Sequence, residues 1–183
     1  MKDVETRVWD PLVRIGHWLL AAAFVVGYAS GDDAPPMHVY AGYMVLGVIL
    51  FRVIWGFIGT PHARFSDFVR PWGEVREHLA SVMRLSPKSS VGHNPAGGWM
   101  VILLLVMLLA TSLSGAGLWI LGEGSVLGEG LEEAHEFLAN TTLLLVVIHV
   151  GGVLVESLLS GENLIKAMLT GRKPAAPSAG GVQ

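Results

Sequence analysis

The residues best suited to chemistry in this chain are its seven histidines, in a sequence that has no cysteine. Without thiolates there is no disulfide, no iron–sulfur ligation and no Cys-x-x-Cys-His attachment of haem, so imidazole is the main remaining source of metal ligands. Four of them, His17, His38, His135 and His149, fall within or at the ends of long apolar runs. His135 and His149 are 14 positions apart, close to four helical turns, so they share nearly one face and stand about 21 Å apart along the axis. One stripe thus carries two ligand positions at two depths. A hydrogen-bonded or boundary histidine is the ordinary explanation for each one singly, but it does not account for their alignment.

Composition shows what must position them. Of 183 residues, 52% are hydrophobic and 15% charged, with a mean hydropathy of +0.55, whereas a soluble domain carries about 25% charge. Four apolar runs, at about 11–29, 38–58, 99–121 and 137–159, each approach the roughly 20 residues that a helix needs to cross about 30 Å of hydrocarbon. Lipid leaves no backbone polar group open, and the runs are too continuous for barrel strands. The expected fold is therefore all-α, an integral membrane four-helix bundle. It is expected to occupy residues 1–173 as one unit, followed by a disordered, Pro- and Gly-containing tail over 174–183. The net charge of −3 and the lack of a phosphate-cradling glycine motif argue against nucleic acid and nucleotide partners.

Basic residues are sorted to one side. Lys2, Arg7 and Arg14 precede span one, Arg64, Arg70, Arg76, Arg84 and Lys88 lie between spans two and three, and Lys166, Arg172 and Lys173 follow span four. The other two connections hold only acids, Asp32, Asp33, Glu123, Glu129, Glu132 and Glu133. The positive-inside rule places both termini in the cytoplasm. Span four then starts outside, which pairs His38 with His135 at the outer boundary and His17 with His149 deeper in. Two imidazoles from different helices are the arrangement that holds haem iron by both axial positions within a bundle. Ala21, Gly42 and Ala139, one turn after three of these histidines, are small enough to clear a porphyrin plane.

Trp72, Val75, Leu79, Val82 and Met83 recur at helical spacing after Pro71, which predicts a helix between spans two and three, either interfacial on the inner leaflet or solvated and packed on the bundle. His62 and His78 are expected to be ordinary surface residues. His93, ahead of Asn94-Pro95, is expected to help cap or orient span three.

The stretch Val8-Trp9-Asp10-Pro11-Leu12-Val13-Arg14-Ile15-Gly16-His17-Trp18 resembles the opening of the bacterial cytochrome b561 family and of the related b-type cytochrome subunits of nickel–iron hydrogenases. The resemblance continues in His38-x-x-x-Gly42, in Arg52-x-x-Trp55-x-Phe57-x-Gly59, in Gly92-His93-Asn94-Pro95, and in His135 with His149 followed by Glu162-Asn163-Leu164-Ile165-x-Ala167-Met168-x-x-Gly171. It implies two non-covalent b haems, ligated by His17 with His149 and by His38 with His135, and electron exchange with membrane quinone. Arg14 and Arg52 are then candidate partners of haem propionates, or else positive-inside anchors. Glu156, the only acid in the apolar part of span four, either pairs with Arg52 or Arg14 or exchanges protons with quinone near the inner haem.

The leading expectation is a multi-pass cytochrome of the bacterial inner membrane that links a periplasmic electron-transfer protein to quinone, with a second copy of the chain as an admissible partner in a homodimer. The alternatives are a membrane anchor that recruits a periplasmic redox protein, and a divalent-metal transporter. The first demands less of four aligned histidines than they offer. The second predicts more carboxylates beside them than Glu136 and Glu156 supply.

Overall fold

A computed structural model of the chain describes residues 5–31, 34–86, 92–122 and 125–174. Lys2, Asp32, Asp33, Lys88 and Glu123 of the charge pattern, and residues 175–183 of the expected tail, lie outside the described residues.

Three of the four long helices start at short polar caps. The Asp10 carboxylate accepts from Val13 N at 2.8 Å and so caps α1 (Pro11–Ala29), with Pro11 at a position whose N–H would have no helical partner. Asn94 caps α5 (Pro95–Leu121) through Gly97 N at 2.6 Å, and Ser125 caps α6 (Val126–Ser160) through Gly128 N at 3.0 Å. With α2 (Pro35–Ile58), these are the helices long and apolar enough to cross a membrane among the described residues. The membrane four-helix bundle therefore holds.

Its boundaries differ from the hydropathy windows in a consistent direction. α1 coincides with the expected run, α2 and α5 begin three and four residues early, and α6 begins at Val126 rather than 137. Glutamates lower hydropathy but favour helix, so Glu129, Glu132 and Glu133 extend α6 beyond the apolar stretch instead of forming a loop.

The helices pack in a row, α1 on α2, α2 on α5 and α5 on α6. Fully buried Ile49 sits at the centre with Ala23, Val45, Leu105 and Leu108, while the outward faces remain apolar and exposed, as a lipid-facing shell requires. Neither α1 nor α2 packs its backbone closely along α6. Side chains span that separation, among them Tyr28, which donates to Asn140 Oδ1 at 2.7 Å.

A floor of short elements closes the end that carries both termini: α3 (Phe65–Phe68), α4 (Trp72–Met83), α7 (Leu164–Thr170), and β1 (Glu5–Arg7) paired antiparallel with β2 (Arg172–Pro174). The ribbon takes in Pro174, where the tail was expected to begin. Val8 N and Trp9 N both donate to Gly171 O, at 2.9 and 3.2 Å. Arg14 donates through Nε to Met168 O at 3.2 Å and through Nη2 to Leu169 O, binding the negative end of α7. Gly161, with φ +71°, ends α6, and α7 folds back beneath α1.

The predicted interfacial helix is α4. Its Trp72, Leu79 and Met83 form an exposed stripe, while Val75 and His78 are buried on the other side. His78 is thus not a surface residue. It lies one turn from Val75 on the face that packs inward.

Asp10 also accepts from Trp55 Nε1 at 3.0 Å and from Thr60 Oγ1. Burial alone would raise its carboxyl, but the hydrogen bonds from Thr60, Val13 and Trp55 outweigh that and hold it below the ordinary aspartate range. Its contribution is therefore present above the ordinary value and lost as pH falls through the lowered one. Asp10→Ala should lower the thermal midpoint in detergent at neutral pH, the cap alone contributing about 1 kcal/mol, with Asp10→Asn milder. The deficit should shrink in acid when unfolding is followed by circular dichroism.

Candidate functional site

His38 and His135 meet near the end of the bundle opposite the termini. Their ring centroids are 5.8 Å apart and nearly perpendicular. His38 Nδ1 lies 2.8 Å from Gly27 O, a carbonyl of the last turn of α1 that has no helical partner of its own. His135 Nδ1 lies 2.9 Å from Thr111 O and 3.1 Å from Ser114 Oγ, both on α5. A carbonyl only accepts, so each Nδ1 carries the proton and each Nε2 keeps its lone pair. Two imidazoles that share a metal ion through nitrogens at about 2 Å hold their centroids roughly 6 Å apart. The pair is thus close to the spacing of two axial ligands, with the outer hydrogen bonds that fix a ligating histidine already in place.

The other pair lies four turns along α6. His17 on α1 and His149 on α6 are within electrostatic reach of one another, both half-buried, and His17 Nδ1 is enclosed without a protein partner. Among the described residues no three His, Asp or Glu side chains converge as a metal cluster. Paired imidazoles suit a metal that brings its other ligands with it, which is the case for porphyrin iron and not for a bare divalent cation.

Beneath the second pair lies a cationic and aromatic layer. Arg52 places its guanidinium carbon 5.2 Å from the Phe65 ring centre and 5.8 Å from that of Phe68, and its Nη1 is buried with no hydrogen-bond partner. His93 stands between Trp9, at 4.5 Å, and Phe68, at 4.6 Å, with Nδ1 also enclosed and unpartnered. Asn94, not His93, caps α5. Burial holds the His93 imidazole down to about 3, with the Arg52 charge as the next contributor. Arg14, engaged with α7, anchors the floor. Glu156 does not pair with either arginine: its carboxylate lies 3.5 Å from His78 Nε2, both side chains nearly buried. α4 lies across the end of the bundle and delivers the partner that no linear spacing suggests.

The family model of prokaryotic cytochrome b561 matches residues 8–171. The chain belongs to that family. Among its relatives, the probable Ni/Fe-hydrogenase B-type cytochrome subunit of Rhizobium leguminosarum bv. viciae is 25% identical over 91% of this chain and 87% of its own length. The corresponding protein of Azotobacter chroococcum mcd 1 is 28% identical over 93% and 89%, and the probable Ni/Fe-hydrogenase 1 B-type cytochrome subunit of Escherichia coli (strain K12) is 30% identical over 50% and 51%. No solved structure matches the chain. As a member of a cytochrome b family it is a multi-pass membrane protein whose redox group is haem b and whose chemistry is electron transfer.

The residues present fit that group. The Nε2 atoms of His38 and His135 could donate to its iron, His17 offers an enclosed unpartnered nitrogen, and a Cβ built at Gly42 would meet nothing within 4 Å. Sequence reasoning missed Thr111 and Ser114, which orient His135, and Gly115, where a Cβ would stand 2.8 Å from His135 Cε1. The small-residue run Ser114-Gly115-Ala116-Gly117 is the signal that could have found them. Gly115→Ala should push the His135 ring off its carbonyl, lowering the haem-to-protein ratio while leaving helix content unchanged by circular dichroism.

Proposed function

We propose that this cytochrome is a dihaem electron carrier, with one haem b on His38 and His135 and a second on His17 and His149, passing electrons between a periplasmic redox protein and membrane quinone. The observation that carries this reading is the facing imidazole pair at 5.8 Å whose Nδ1 atoms are bound to helix carbonyls. The second pair, about 21 Å farther along α6, shortens a transmembrane gap that one haem would not bridge.

Haem supplies the one-electron change at iron, and the protein supplies ligation, orientation and exclusion of water. Gly27 O and Thr111 O hold the outer imidazoles in the tautomer that presents Nε2. Arg52 offers a buried guanidinium N–H to a propionate of the inner haem, while Arg14 serves there through the floor it pins. Glu156, held by His78 near the same end, would exchange protons with quinone. The basic connections support cytoplasmic termini in the bacterial inner membrane. Relatives named as hydrogenase cytochrome subunits support a hydrogenase-type protein as the periplasmic partner.

His38→Ala should halve the haem-to-protein ratio measured as the pyridine haemochrome and leave the other haem reducible by a quinol analogue. A purified variant that retains both haems would overturn the assignment.

A further inference from the structure

We propose that His93 and Arg52 form one anion cradle at the floor of the bundle, in which Nδ1–H of His93 and Nη1–H of Arg52 hold a carboxylate of the prosthetic group carried between His17 and His149. This rests on the inner-haem reading above and adds His93, which the sequence points to as no more than a helix-start residue.

Three observations converge. Both nitrogens are enclosed and without a hydrogen-bond partner, although a buried donor left unmade costs about 1–3 kcal/mol. The two side chains share one wall, since Phe68 contacts the His93 ring at 4.6 Å and lies 5.8 Å from the Arg52 guanidinium carbon. The charges felt by His93 are all cationic groups or histidines: Arg52, Lys173, His149 and His17.

Such a set calls for an anion, and the described carboxylates nearby already have partners. Asp10 accepts from Val13, Trp55 and Thr60; Asp67 accepts from His62 N and pairs with Arg64; Glu156 lies against His78; and Glu162 lies against Lys173. The missing acceptor therefore comes from outside the described side chains. A propionate answers the requirement, because His17 and His149 both act electrostatically on His93 and a haem held between them would bring two carboxylates of its own. Trp9 meets the imidazole edge-on and Phe68 meets it at a 45° tilt, so the ring is oriented before the carboxylate arrives. His93 is thus a positioning residue for the inner haem, and the Gly92-His93-Asn94-Pro95 turn has two separate tasks, with Asn94 capping α5 while His93 faces the cradle.

The test uses the full-length haem-loaded protein in detergent. His93→Phe keeps an aromatic ring between Trp9 and Phe68 without the donor, and His93→Gln restores an N–H. His93→Phe should lower the midpoint potential of the inner haem, because a less neutralised propionate favours ferric iron, and should shift the propionate bending band in the resonance Raman spectrum. The outer haem should keep its potential, and His93→Gln should recover most of both signals. Arg52→Leu should shift the same haem in the same direction. Wild-type potential and Raman bands in His93→Phe, equal shifts at both haems, or loss of the inner haem in both His93 variants would each overturn the cradle and assign His93 to packing alone. A wild-type protein that holds a single haem, with none on His17 and His149, would instead overturn the dihaem reading on which the cradle stands.

Discussion

An imidazole placed in hydrocarbon must give its N–H to something, and the rest of this structure depends on how that need is met. Gly27 O serves His38 because it belongs to the last turn of α1, where carbonyls lack helical partners. Thr111 O serves His135 because Gly115 lets the ring approach the α5 backbone. Each arrangement fixes a tautomer, and each fixed tautomer leaves Nε2 as a donor to metal. The row-like packing of α1, α2, α5 and α6 follows the same logic, since α6 stays apart from α1 and α2 where the paired rings face each other.

At the other end the constraint is charge. Cationic groups gathered under a membrane bundle need partners, and the floor supplies them by folding both chain ends together. Arg14 binds the carbonyls that end α7, Lys173 meets Glu162 at 3.1 Å, and β1 lies along β2. Arg52 and His93, like His17 and Arg64, are exceptions among the described residues, each with an enclosed nitrogen that makes no hydrogen bond, although Arg64 still has Asp67 at 3.6 Å. An exception of this kind is informative because buried polar atoms are otherwise satisfied almost everywhere.

The spans were legible because lipid imposes a length and a composition that a window can measure. Their ends were less so, because hydropathy counts Glu129, Glu132 and Glu133 against a span while the backbone, capped by Ser125, continues as helix through them. The four aligned histidines were legible from a spacing along α6 and from the odd–even topology of four crossings. Gly115 and Thr111 were not, since their roles exist only where α5 lies against α6. The burial of His78 is illegible for the same reason: its polar type points to water, but α4 turns it onto Glu156.

By itself, the sequence determined a membrane helical bundle, the sorting of charges among its connections and the meeting of His38 with His135, because these depend on residue type and on periodicity along single helices. Only the tertiary structure decided which nitrogen His38 and His135 each expose, that Glu156 meets His78 and not an arginine, and that His93 and Arg52 share the wall of Phe68. Those are contacts between segments distant in the chain, and their energies depend on distances that no spacing within one helix contains.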